Sequence, residues 1–141
     1  MLSYPKGHIL IAEDDEDDQY LLSSAFNKIA PDCNLVFVHN GNEILNYFEN
    51  FESGKQAFLP ALVVLDLNMP QRDGKQALVE LSKRSYYDEL LVVVFSTTGN
   101  PNEINFCAEL GVHDFFVKPS SYSDLLVIVE KFLKLAKSKI A

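Results

Sequence analysis

The chain has 141 residues, of which 48% are hydrophobic and 11% aromatic, and it carries a formal net charge of -8. This length suits one globular domain with a sizeable core, and the acidic charge disfavours binding to the phosphate backbone of a nucleic acid. The first apolar run, residues 9–12, is too short for a signal peptide or a membrane-spanning helix. Together with two isolated cysteines, which favour free thiols in a reducing compartment, these features predict a cytoplasmic protein without a membrane partner.

Five short apolar runs alternate along the chain with five stretches of helical periodicity. The apolar runs predict strands at residues 8–12, 35–38, 62–65, 90–95 and 114–117. The amphipathic stretches predict helices from the acidic block at 13–18 to Pro31, and over 41–51, 74–84, 102–111 and 122–138. Regular alternation of this kind indicates an α/β fold, with a doubly wound, five-stranded parallel sheet and five helices that cover both of its faces.

Polar residues follow the carboxyl ends of four predicted strands. They are Glu13 and Asp14 after the first strand, Asp66 after the third, Ser96 after the fourth and Lys118 after the fifth. In a parallel sheet these ends point the same way, and ligands bind beyond them where the strand order reverses. We therefore expect the five side chains to converge on one crevice. The remaining acids, 15–18, are expected to form a solvated helix start.

The three carboxylates of this crevice predict a metal site. Crowded carboxylates raise one another's pKa unless a cation compensates, and oxygen ligands without His or Cys suit a partly hydrated Mg²⁺. Asp14 and Asp66 would be direct ligands, and Glu13 would act through a water molecule. The backbone carbonyl of Asn68, just beyond Asp66, would complete the set of protein ligands.

A lysine and a hydroxyl beside a metal-bound carboxylate suit phosphoryl transfer, which depends on positioning and on neutralising charge on the moving group. Asp66 would then be the nucleophile, activated by its position and by the metal rather than by a separate base. Lys118 and Ser96 would bind two of the phosphoryl oxygens, and the metal would bind the third.

In this order and spacing, the residues resemble the receiver domain of response regulators in two-component signalling. The matching motifs are Glu13-Asp14, the block D-L-N-M-P-x-x-D-G from Asp66 to Gly74, Ser96 after an apolar strand, and Lys118-Pro119. The match covers about residues 8–137, so that residues 1–141 would form a single receiver domain. The resemblance implies a flavodoxin-like sheet with strand order 2-1-3-4-5. Among such proteins the chain looks most like stand-alone, CheY-like regulators that are paired with phytochromes or hybrid kinases.

The resemblance implies a role for each matching residue. Asp66 would be the phosphoacceptor, Glu13 and Asp14 the metal-binding acids, Lys118 the phosphate-binding lysine and Ser96 the switch hydroxyl. The switch aromatic would be Phe115, whose ring turns inward when the Ser96 hydroxyl moves toward the phosphoryl group. The family also implies a cis peptide bond between Lys118 and Pro119, although such bonds are uncommon.

The implied protein is a phosphoacceptor with at most slow self-dephosphorylation, and not an enzyme. Its phosphoryl donor would be a sensor histidine kinase or a histidine phosphotransfer protein. Its output would pass to a downstream protein partner, to a homodimer formed through residues 102–132, or along a phosphoryl relay.

Three other functions remain open on the sequence alone. A constitutive adaptor of the same fold would not use phosphorylation, although it would be expected to have lost one of the matching residues. A phosphatase of the haloacid dehalogenase type also uses Mg²⁺ and a nucleophilic Asp, but its nucleophile usually follows the first strand and a second Asp stands two residues on, where this chain has Asn68. A flavin-binding protein is disfavoured because acids at the end of the first strand would repel the flavin phosphate.

Overall fold

The computed structural model describes residues 4–69 and 74–140, and within these ranges strands alternate with α-helices. The strands are β1 (Ile9–Ala12), β2 (Leu35–Val38), β3 (Leu62–Leu65), β4 (Val92–Ser96) and β5 (Asp114–Val117). The helices are α1 (Glu16–Ile29), α2 (Gly41–Glu52), α3 (Gly74–Ser82), α4 (Pro101–Glu109) and α5 (Tyr122–Ile140). The predicted alternation is confirmed, and β4 begins later than predicted because a short 3-10 turn, Tyr87–Glu89, lies before it.

All five strands are parallel and lie in the order β2-β1-β3-β4-β5, which confirms the predicted flavodoxin-like sheet. The order reverses between β1 and β3, whose last residues, Ala12 and Leu65, are register partners. The N–H of Asp66 donates to the carbonyl of Ala12 at 3.1 Å. Glu13 and Asp66 therefore leave the sheet side by side, at the point where α/β sheets bind ligands.

The three central strands are buried on both faces, which explains their continuous apolar sequences. On one face, residues such as Leu10, Val63 and Val94 pack with α2, α3 and α4. On the other face, residues such as Ile11 and Val64 pack with α1 and α5. Each fully buried side chain of this size contributes roughly 1.5–3 kcal/mol. The two apolar layers therefore hold the strand ends in fixed relative positions.

The acidic block after β1 begins a helix, as predicted. Asp15 is the N-cap of α1, and its Oδ1 accepts a hydrogen bond from the N–H of Asp17 at 3.2 Å. Glu16, Asp17 and Asp18 then occupy the first turn, where carboxylates interact favourably with the helix macrodipole. In the ranges that the structure describes, no helix is both long and apolar enough to cross a lipid bilayer.

Candidate functional site

Side chains from four strand ends meet at the carboxyl edge of the sheet. Carboxylate oxygens of Glu13, Asp14 and Asp66 all lie within 4.8 Å of one another. The ammonium of Lys118, which follows β5, contacts both Glu13 and Asp66. Ser96 is the last residue of β4 and is completely buried. The topology therefore places all five predicted side chains at one edge, while their chemical roles stay predictions.

Lys118 directs its ammonium at three carboxylates. Its Nζ lies 2.6 Å from Glu13 Oε1, 3.0 Å from Asp18 Oδ2 and 3.1 Å from Asp66 Oδ2. An ammonium has three N–H donors, so these contacts can use all of them.

Asp18 was expected only as part of a solvated helix start, and its ion pair with Lys118 was missed. A signal for it exists in the sequence. Asp18 lies four residues after Asp14, and side chains in a helix tilt toward its N-terminus. A helix that begins directly after β1 therefore turns the Asp18 carboxylate back over the edge of the sheet.

The buried charges at this edge alter one another's protonation. Glu13 is 1% exposed, and burial raises its pKa to about 7, although the hydrogen bond and charge of Lys118 oppose this. Burial alone would lower the pKa of Lys118, but the hydrogen bond to Glu13 and the charges of Asp66 and Glu13 raise it above its ordinary value. Lys118 is thus an ammonium, and the carboxylates around it outnumber it.

The donor set of the carboxylate cluster fits a hard divalent cation. Glu13, Asp14 and Asp66 supply oxygen atoms only, and one such atom from each lies within 4.8 Å of the others. Glu13 and Asp66 are buried, whereas Asp14 is exposed, which leaves room for the water molecules that such ions retain. The cluster therefore has the chemistry of a divalent cation site.

The backbone after Asp66 is tightly folded at both described ends of the motif loop. The N–H of Asn68 donates to Asp66 Oδ1 at 3.0 Å, and the N–H of Gly74 donates to the carbonyl of Leu67 at 3.0 Å. A Cβ on Gly74 would lie 2.1 Å from the carbonyl oxygen of Asp66, so only glycine fits there. The intervening motif residues, 70–73, lie outside the described residues.

Ser96 and Phe115, the two predicted switch residues, lie on the same face of the sheet. Ser96 lies two residues after Val94, on the same face of β4, and the register partner of Val94 is Phe115. Phe115 is half-buried and packs against the apolar cluster between this face and α2, α3 and α4. The Ser96 hydroxyl is buried and has no hydrogen-bond partner among residues 4–69 and 74–140. An unsatisfied buried hydroxyl costs about 1–3 kcal/mol.

The peptide bond between Lys118 and Pro119 is trans, so the implied cis bond is wrong. The trans form is intrinsically favoured before proline by about 0.5–1 kcal/mol. With it, Lys118 reaches its three carboxylates while its own N–H donates to the carbonyl of Ser96 at 2.7 Å.

A cavity of about 250 Å³ opens beside the Lys118 side chain, between α1 and the start of α5. Its lining is mainly apolar and includes Leu21, Leu22, Phe95 and Tyr122, with Asp18 among the polar members. The sequence did not predict this cavity, because it depends on how two distant segments pack.

The sequence and the fold of this chain match those of a known protein family. The sequence profile described as the response regulator receiver domain matches residues 9–130. The response regulator Rcp1 of Synechocystis sp. is 27% identical over 128 residues, which cover 91% of this chain and 87% of Rcp1.

Two solved structures are similar throughout. The Mn²⁺-bound form of Rcp1 has a TM-score of 0.77 and 26% identity, covering 88% of this chain and 89% of that one. The phosphorylated cyanobacterial phytochrome response regulator RcpA has a TM-score of 0.83 and 29% identity, covering 93% and 94%. The predicted likeness to phytochrome-associated regulators is thereby confirmed as a similarity. Since the family profile spans most of a chain that has the receiver strand order, this protein belongs to the response regulator receiver domain family of two-component signalling.

Proposed function

We propose that Asp66 accepts a phosphoryl group from a phosphohistidine of a sensor kinase or of a histidine phosphotransfer protein. The observation that carries this proposal is the 3.1 Å contact between Asp66 Oδ2 and the Lys118 ammonium, within a cluster that also contains Glu13 and Asp14. Phosphoryl transfer is catalysed mainly by positioning and by neutralising charge. A carboxylate held at the sheet edge beside a fixed cation meets both needs.

In the proposed reaction, one oxygen of Asp66 forms a bond to phosphorus while the P–N bond to the donor histidine breaks. The electron pair of that bond leaves with the imidazole, which retains the proton on its other nitrogen. Lys118 would donate to one phosphoryl oxygen. The buried hydroxyl of Ser96, for which the described part of the chain offers no partner, would donate to a second.

Mg²⁺ is the divalent cation that we propose for this site. When bound, it would neutralise charge on the carboxylates and on the incoming phosphoryl group. Asp14, Asp66 and the carbonyl of Asn68 would bind it directly, and Glu13 would act through water. The Mn²⁺-bound form of Rcp1, a similar protein, supports a divalent cation in this family.

The output would pass through the face formed by α4, β5 and α5. Movement of Ser96 toward the phosphoryl group would free space on the α4 side of the sheet for Phe115 to turn inward. That face already exposes the apolar side chains of Ile104, Val117 and Val127. A downstream protein or a second copy of the chain would bind there, within residues 102–132.

The donor protein would approach the side of α1, where the cavity beside Lys118 lies. Leu21 of α1 is exposed and lines this cavity, and an apolar surface close to Lys118 suits a protein that must present a histidine. We further propose that the chain acts as a single receiver domain in the cytoplasm and turns over its phosphoryl group slowly at most.

The proposal is tested by the intact-protein mass after incubation with acetyl phosphate, with and without Mg²⁺, followed by peptide mapping. We expect one phosphoryl group on Asp66 that requires Mg²⁺. Asp66→Asn is the matched control, because it retains the size of the side chain and removes the nucleophilic carboxylate. Modification of this variant at the wild-type rate would refute the assignment of Asp66.

Other outcomes distinguish the alternatives. A folded protein that gains no phosphoryl group, under conditions that exclude rapid self-hydrolysis, would support a phosphorylation-independent adaptor. Repeated turnover of small phosphoesters would support a phosphatase instead.

A further inference from the structure

Asp18 differs from the other carboxylates that contact Lys118. Glu13 and Asp66 belong to the candidate cation cluster together with Asp14, whereas Asp18 lies outside it. Asp18 comes from the first turn of α1, and its side chain is 33% exposed with Oδ2 3.0 Å from Lys118 Nζ. Of the three partners that Lys118 has among the described residues, Asp18 is thus the one outside the proposed cation and phosphoryl site.

We propose that Asp18 is a positioning residue, which holds the ammonium of Lys118 beside Asp66 during phosphoryl transfer. This inference rests on the proposed function of Asp66. Lys118 carries its charge on a flexible four-carbon stem, so hydrogen-bond partners must hold the ammonium in one position. When a cation binds the carboxylate cluster, or when Asp66 carries a phosphoryl group, Asp18 still fixes one N–H of the ammonium.

The backbone holds both members of this pair in place. Gln19 Nε2, next to Asp18, donates to the carbonyl of Glu13 at 2.6 Å and ties the first turn of α1 to the end of β1. On the other side, the N–H of Lys118 donates to the carbonyl of Ser96 at 2.7 Å. The Asp18 carboxylate is therefore anchored to the same sheet edge as the lysine that it contacts.

Asp17 offers a matched control. It is exposed in the same first turn and has the same charge, and among the described residues its carboxylate forms no ion pair. Asp17→Ala and Asp18→Ala each remove one acid from the start of α1, so both lose a similar interaction with the helix macrodipole. Only Asp18→Ala removes the contact with Lys118. Thermal unfolding of the two variants checks that both are folded.

The first test observes Lys118 directly and needs no phosphoryl donor. NMR of the full chain with ¹⁵N-labelled lysine would detect the Lys118 ammonium, assigned by its absence in Lys118→Met. We expect its protons to be protected from exchange in the wild type and in Asp17→Ala, both with and without Mg²⁺. In Asp18→Ala with Mg²⁺, we expect exchange to be about tenfold faster, because the stable hydrogen bond is lost. Wild-type exchange in Asp18→Ala would overturn the inference.

The second test measures the rate of phosphorylation by acetyl phosphate at saturating Mg²⁺. We expect Asp18→Ala to be slower by about tenfold, because misplacing a charged group costs transition-state stabilisation. Asp18→Asn, which retains an acceptor oxygen, should recover part of the rate, and Asp17→Ala should match the wild type. Equal rates for the two alanine variants, or a faster rate for Asp18→Ala from reduced repulsion of the donor, would overturn the positioning role.

The two tests separate this inference from the proposed function. If the wild type acquires no phosphoryl group, the proposed function fails and a role of Asp18 in transfer fails with it. The exchange measurement then still decides whether Asp18 fixes Lys118. If the wild type is phosphorylated and both alanine variants behave alike, only the inference about Asp18 fails.

Discussion

The two ends of the sheet bury polar groups in opposite ways. At the carboxyl end, the single ammonium of Lys118 contacts several carboxylates, including the buried Glu13 and Asp66. The buried hydroxyl of Ser96, at the same edge, has no hydrogen-bond partner among the described residues. This end therefore holds more carboxylates than ammonium groups in the part of the chain that the structure describes.

At the amino end, two buried polar side chains, His8 and Tyr47, pair with each other. His8, directly before β1, is completely buried, and its Nδ1–H donates to the carbonyl of Pro5 at 2.7 Å. Its Nε2 then accepts from the hydroxyl of Tyr47 in α2, against which Tyr4 stacks with ring centroids 5.6 Å apart. Both nitrogens of His8 are used, and burial lowers its pKa. The contrast is that the carboxyl end gathers an excess of carboxylates around one ammonium, whereas His8 and Tyr47 form a local hydrogen-bond pair that ties the start of β1 to α2.

The largest expected effect comes from removing the ammonium at the carboxyl end. Lys118→Met should lower the free energy of unfolding by about 3–5 kcal/mol at pH 8 without divalent cations, because it leaves buried carboxylates unpaired. Mg²⁺ should restore part of this loss by replacing the missing positive charge. Urea unfolding with EDTA or with Mg²⁺ measures both effects.

Lys75→Met is the control for this variant. Lys75 lies 3.2 Å from Glu103, but it is 40% exposed, so its loss should cost at most about 1 kcal/mol and should not depend on Mg²⁺. Equal losses for the two lysine variants would show that the charges at the carboxyl end are no more strongly coupled than an ordinary surface pair.

The next effect concerns the backbone at the same end. Gly74→Ala should cost about 3 kcal/mol, because its Cβ would lie 2.1 Å from the carbonyl oxygen of Asp66. Gly54, in the loop that leads toward the amino end of β3, has φ +81° and open space around it. Gly54→Ala should therefore lower the free energy of unfolding only by the cost of the left-handed conformation, about 1–2 kcal/mol. A smaller loss for Gly74→Ala than for Gly54→Ala, measured by urea unfolding, would contradict the close approach.

A smaller effect is expected at the amino end. Tyr47→Phe removes the donor to His8 Nε2 and leaves that nitrogen buried without a partner, at a cost of about 1–3 kcal/mol. The rate of phosphorylation by acetyl phosphate should not change, since Tyr47 lies at the opposite end from Asp66. If Tyr47→Phe kept its stability but lost phosphorylation, the amino end would serve the reaction rather than the fold, and the contrast between the two ends would be wrong.

Sequence reasoning located the fold and the edge because the central strands are apolar on both faces and end in charged residues. The run 62–65 followed by Asp66 illustrates this, since the apolar residues indicate a buried strand and the residues directly after them indicate a turn. Parallel topology then brought the strand ends together without any knowledge of side-chain packing.

What sequence reasoning missed depends on contacts between distant segments. The pair of Asp18 with Lys118 joins residues one hundred positions apart, and the helical spacing of Asp18 after Asp14 indicates its direction but not its partner. The burial of His8 against Tyr47 likewise follows only from how α2 packs on the sheet. The trans bond before Pro119 was missed because the family resemblance outweighed the intrinsic preference of the peptide.

The smallest effect is a pH dependence of stability, to which the two ends of the sheet contribute with opposite signs. Burial lowers the pKa of His8 below its ordinary 6.5, so the unfolded chain takes up a proton first as the pH falls and stability is lost below about pH 6.5. Burial raises the pKa of Glu13 from 4.5 to about 7, so the folded chain holds the extra proton and stability falls as the pH rises through that interval. Between about pH 5 and 6.5, the two groups therefore change stability in opposite directions.

Single variants should separate these opposing contributions. Relative to the wild type without divalent cations, Glu13→Gln should gain stability with rising pH, and His8→Gln should lose it. Each change in slope is limited to about 1.4 kcal/mol per pH unit, the value for one proton. Urea unfolding at several pH values between about 5 and 6.5 measures both slopes, and the titration of groups distant from the replaced residue cancels in the difference. If both variants changed the slope in the same direction, the pKa values of His8 and Glu13 would not be shifted in the opposite directions that this prediction requires.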